Sequence, residues 1–89
     1  MNKINNQMKN VNTKEDFLKL LAILIDDLKS NDWDNNTLES YLSGVEGWVD
    51  DMDGYFANIK DDKTLEKLNN NELDWKILAH IFVASTVYE

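Results

Sequence analysis

The sequence predicts an all-α fold, a compact single-domain bundle of three long helices plus one short helix. Three observations carry this. Apolar residues recur at 3–4 spacing over five turns from Leu38 to Phe56; a run of 16 residues near the C-terminus has no turn signal; and 89 residues contain no Pro. A chain of this length supports one domain with a modest core.

Residues 1–10 are polar and Asn-rich, with Ile4 and Met8 the inner apolar residues, and read as a flexible lead-in to a single domain over 11–89. The first long helix starts at Thr13, a good N-cap, followed by Glu15 and Asp16 where the helix dipole favours negative charge. Phe17, Leu18, Leu21, Leu24, Ile25 and Leu28 fall within an arc of about 120° and predict its buried face. Ser30 and Asn31 compete for the backbone and end it.

The second long helix opens at Asn36 or Thr37 and carries Leu38, Tyr41, Leu42, Val45, Trp48, Val49, Met52, Tyr55 and Phe56 as its apolar set. Residues 58–64 form a connection, and 64–69 a short helix with Leu65 and Leu68 inward. The Asn69-Asn70-Asn71 run stops it, because Asn tolerates the left-handed conformation. Asp74 caps the last helix, which runs to Tyr88 and is apolar nearly all round; it is the expected central post.

Composition excludes several functions. With no Cys, the chain has no disulfides, thiolate metal sites or Cys nucleophile. No apolar run approaches the ~20 residues of a membrane span, and the N-terminus lacks a signal-peptide core. The net charge of -8 disfavours nucleic acid and anionic membranes. All nine bases are Lys, so bidentate guanidinium recognition is absent. The acidity is local: residues 1–25 carry +2, residues 26–62 carry -9, and residues 63–89 carry -1.

No catalytic set emerges. The sole His, His80, reads as a partly exposed surface residue with no motif beside it, and the chain is expected not to be an enzyme. Asp32-x-Asp34-x-Asn36 matches the start of a calcium loop, but Thr37 stands where Gly is required and Ser43 where Glu is required. No metal or cofactor is therefore expected. The residues that point to a protein partner with a basic surface are Asp32, Trp33, Asp34, Glu46, Asp50, Asp51 and Asp53, an aromatic anchor among clustered acids. On the second long helix Gly44, Gly47 and Gly54 lie opposite the apolar arc. They mark either a helix break or a smooth stripe where another backbone approaches. Self-association as a homodimer through Gly44 and Gly47 is the alternative to the basic partner.

The pattern Trp33-x-Asn35-x-Thr37-Leu38-Glu39-x-Tyr41-Leu42, then Trp48 and Asp51, then Trp75-Lys76-x-x-Ala79 and Ala84…Tyr88-Glu89, resembles a family of short, acidic bacterial proteins classed as a domain of unknown function. The resemblance covers 11–89 and implies a bacterial cytoplasmic helical domain. In size and charge the chain is also similar to the immunity partners of bacterial toxins.

Overall fold

The computed structural model describes residues 2–88 and contains five helices: α1 (Asn2–Lys9), α2 (Lys14–Ser30), α3 (Leu38–Asn58), α4 (Asp62–Asn69) and α5 (Trp75–Ala84). Among the described residues there is no strand. The all-α bundle is as the sequence predicts, with one helix more. Among the described residues no helix is long and apolar enough to cross a membrane.

Helix α5 is the post. It packs against α1, α2 and α3, while α4 packs on α3. Two core clusters meet along it. Ile4, Val11, Leu20, Leu24, Ala79 and Val83 form one; Trp48, Met52, Phe56, Ile77 and Ile81 form the other; Phe82 packs against both. Helix directions follow from the contacts. Phe17, at the start of α2, lies 5.7 Å ring to ring from Trp75 at the start of α5, and Trp33, just past the end of α2, shares a cleft with Thr86 and Val87. The two helices run parallel. The start of α3 meets the end of α5, because the Tyr41 hydroxyl donates to the Phe82 carbonyl (2.8 Å), while Phe56 near its end clusters with Ile77. Helix α3 is therefore antiparallel to both.

The caps are local chemistry. Thr13 Oγ1 accepts from the Asp16 N–H at 3.1 Å. Thr37 and Ser40 form a reciprocal capping box, with Ser40 serving as the N3 acceptor. Asp61 and Asp74 cap α4 and α5 through the N–H groups of Thr64 and Ile77. Each then takes a lysine: Lys76 reaches Asp61 at 2.8 Å and Lys67 reaches Asp74 at 2.7 Å. Asn71 stops the α4 region at φ 59°, the left-handed role its sequence suggests.

Three expectations are corrected. The flexible lead-in is instead helix α1, whose Ile4 is buried against Val11, Leu20 and Leu24; a polar sequence with one well-placed apolar pair suffices when a core is there to receive it. The buried face of α2 is centred on Leu20 and Leu24, shifted from the predicted arc toward the side that α1 covers; of that arc Leu24 is buried and Phe17 and Leu21 pack against the core, while Leu18, Ile25 and Leu28 remain exposed. Helix α5 ends at Ala84 instead of Tyr88, since the Ser85 and Thr86 hydroxyls donate to the carbonyls of Ile81 and Val83 and turn the chain. Of the two readings of the glycines, the helix break fails: α3 runs unbroken through all three.

Candidate functional site

The acidic residues chosen from sequence do not form one surface. Asp32 and Asp34 are exposed in the α2–α3 turn. Between them the Trp33 ring is half-buried, donating from Nε1 to Asp27 (2.9 Å) and stacking on Tyr41. Trp33 is thus a lid over the helix ends that presents one edge to a shallow cleft with Asp27, Asn31, Thr86 and Val87. Glu46, Asp50 and Asp53 follow one exposed flank of α3. Asp51 points the other way and accepts from the Tyr88 hydroxyl, which holds that phenol above its ordinary pKa.

The glycine stripe has an occupant, and it is this chain. A Cβ on Gly44 would stand 2.7 Å from both the Asn35 amide nitrogen and the Ser85 carbonyl oxygen, and 3.1 Å from the Tyr88 carbonyl oxygen. On Gly47 it would meet the Tyr88 ring at 3.3 Å. The C-terminal turn is seated there by the buried Asn35. Its backbone N–H donates to the Thr86 carbonyl (3.0 Å), and its amide donates to the carbonyls of Ser85 (2.8 Å) and Tyr88 (2.7 Å). Gly44 and Gly47 therefore do not present a self-association surface; the close backbone approach is internal. Asn35 carries this arrangement, and sequence reasoning missed it. An Asn in a polar turn has no signal that distinguishes a buried clamp from a solvated turn residue.

His80 is buried, contrary to its expected surface position. It lies among Trp48, Tyr55 and Phe56, with ring centroids 6.5, 6.0 and 5.3 Å away, and its Nδ1 is 2.8 Å from the Lys76 carbonyl. A carbonyl only accepts, so Nδ1 carries a proton. Burial pushes its pKa down, an effect the Lys76 carbonyl partly opposes. The available signal was the row Trp48, Met52 and Phe56 on α3, which needs a partner face on α5 wide enough to include His80.

A further open cleft is partly apolar. A groove of about 500 Å³ lies between the second half of α3 and the α4–α5 connection. Val49, Met52, Leu68 and Leu73 form its apolar part, and Asp50, Asp53 and Glu72 its rim. Leu38 and Leu42, assigned to the core by their periodicity, are exposed further up the same helix. Among the described residues no three His, Asp or Glu side chains converge where a metal ion would be held.

Fold and site together define a small all-helical domain whose open features are shallow surface clefts. Residues 13–89 match the sequence profile of a family of unknown function, DUF7660, and the chain belongs to that family. No curated protein and no solved structure matches it.

Proposed function

We propose that this chain is a non-catalytic protein-binding domain that receives a basic, partly apolar segment of another protein in the groove between α3 and the α4–α5 connection. The observation that carries this is the groove's make-up: Val49, Met52, Leu68 and Leu73 with Asp50, Asp53 and Glu72 around them. Apolar floor supplies affinity, and a one-signed rim selects the partner and speeds encounter. The burial of His80, with its Nδ1 held by a backbone carbonyl, supports a non-enzymatic role, because the one side chain suited to general acid–base work near neutral pH is nearly inaccessible to solvent. A masking role of the immunity type, in a bacterial cytoplasm, is the setting that fits a net charge of -8 held by a short chain.

The test is co-purification from the native host, with genes adjacent to this one co-expressed. The expected product is a stoichiometric complex with a basic protein. It weakens as salt rises and is lost in a Glu72→Lys/Leu73→Asp variant that keeps the wild-type helical spectrum. Recovery of no basic protein, or a complex indifferent to both substitutions and to salt, would overturn the reading.

A further inference from the structure

A smaller cleft, of about 220 Å³, opens where α1 and α3 flank α5. Met8 of α1, Trp48 and Tyr55 of α3, and His80 and Val83 of α5 line it. Its walls belong to the core. Trp48 and Val83 are each 5% exposed, one in either core cluster, and Met8 packs against the cluster that holds Val83. No Asp, Glu or Lys among the described residues lines this cleft, whereas Asp50, Asp53 and Glu72 line the α3–α4 groove. A charged ligand entering it would lose hydration and gain no ion pair in return.

One polar atom in the wall is without a partner. His80 is only 6% exposed, and its Nδ1 is taken by the Lys76 carbonyl. Its Nε2 has no hydrogen-bond partner among the described residues, where every fully buried side-chain N or O atom has one. Nε2 is therefore not sealed in the core, and the small part of the ring left open faces the cleft that His80 lines. At about pH 8 the ring is neutral, because burial pushes its pKa below the ordinary 6.5. With the proton on Nδ1, Nε2 is an acceptor. Asn5 and Tyr55, the other polar side chains of the lining, are half-buried and exposed, so they belong to the rim.

We propose that this cleft binds a small uncharged aromatic molecule of one or two rings, which donates an N–H or O–H hydrogen bond to His80 Nε2. Apolar walls with one convergent polar atom are the usual make-up of a small-molecule site, the walls supplying affinity and the polar atom orientation. Trp48 and Tyr55 offer ring faces and edges to a ligand ring. Size sets the limit. A cavity of about 150 Å³ with such a lining holds one benzene, so about 220 Å³ admits a fused ring pair and little more. The backbone of a peptide would bring amide groups to a rim with few polar partners, which favours a free molecule over an aromatic side chain. No residue lines both this cleft and the α3–α4 groove, so the site goes beyond the protein-binding reading.

Titration calorimetry and nitrogen NMR on the intact chain at about pH 8 test this. The probes are indole, benzofuran (nearly the same shape, with no donor) and a short tryptophan peptide. Indole is expected to saturate one site at sub-millimolar concentration, as its few atoms allow. Benzofuran should bind roughly five- to tenfold more weakly, the worth of one hydrogen bond. Indole, and not benzofuran, should move the Nε2 resonance toward its protonated position. His80→Phe keeps an aromatic wall and should remove the preference for indole. Ala84→Leu, at a half-buried lining position, should fill the cleft and weaken both probes more than roughly tenfold, with the helical spectrum kept. The Nε2 resonance of the unaltered chain keeps the proposal testable if either variant unfolds. No saturation by indole at a few millimolar overturns the proposal, as does equal binding of indole and benzofuran. So do an unmoved Nε2 resonance and binding of the peptide without binding of free indole. The groove variant Glu72→Lys/Leu73→Asp should bind indole as the wild type does, so the two readings fall separately.

Discussion

Two sides of α3 use their residues in opposite ways. One side carries Gly44 and Gly47, the residues with the least to bury, and it is closed by the chain's own C-terminal turn. The other carries Leu38 and Leu42, residues with much to bury, and it is left open. Small side chains admit backbone, and backbone brings carbonyls, so that side is closed by hydrogen bonds from Asn35. Large side chains need apolar surface in return. Among the described residues no other element of the chain covers Leu38 and Leu42 on that side. Closure by polar clamping is complete inside the molecule; Leu38 and Leu42 stay open.

On the closed side, Gly44→Val is the most damaging single change. Its Cβ alone would overlap the Ser85 carbonyl, which is backbone and cannot rotate away. The expected loss is about 3 kcal/mol, read as a lower denaturant midpoint, with the fluorescence of Trp33 altered because its cleft includes Thr86 and Val87. Asn35→Leu should follow at about 2 kcal/mol, since it strands two carbonyls. A Gly44→Val protein as stable as the wild type would mean that the turn is not seated there.

How much of this was legible is clear from particular residues. Caps at Thr13, Thr37 and Asp74 and the stop at Asn71 depend on neighbours in sequence, and they stand where local chemistry put them. The role of α5 as post was legible because a helix apolar on nearly every side has nowhere to be except inside. What periodicity cannot supply is which part of a wide apolar arc receives a partner. Leu20 and Leu18 are equally apolar, and only the placement of α1 decides that the first is buried and the second is not. For the same reason the sequence leaves open whether the acidic segment is one surface, and the structure puts the neighbours Asp50 and Asp51 on different flanks of the helix.

The core-facing side of α3 supplies a pH-dependent comparison. Trp48, Tyr55 and Phe56 hold His80 with its pKa pushed below the ordinary 6.5, first by burial. The unfolded chain then binds the proton more readily than the folded one. Stability is unaffected above the unfolded value and falls as pH drops through it toward the lower folded value. With one His in the chain, the interval from about pH 7.5 to about pH 5 isolates this group from the carboxylates. The wild-type denaturant midpoint should decline across it, and His80→Phe should be flat. Asp61 acts lower. Lys76, with Thr64, holds it at about 2, so its contribution is present above about 4 and is lost between about 4 and 2. An equal slope in wild type and His80→Phe across the upper interval would show that the ring is not enclosed.

The mildest substitutions discriminate best, because they separate lack of a side chain from need of a side chain. A methyl group on Gly54 would stand clear, with nothing within 4 Å beyond its chain neighbours and its own helix backbone, unlike Gly44 on the same helix. Gly54→Ala should therefore raise stability by roughly 0.5–1 kcal/mol, as helix propensity acts without steric opposition. Leu38→Ser with Leu42→Ser should shift monomer stability by no more than about 0.5 kcal/mol, since both leucines are already largely solvated. A loss of several kcal/mol from that pair would mean that this side of α3 is closed within the molecule.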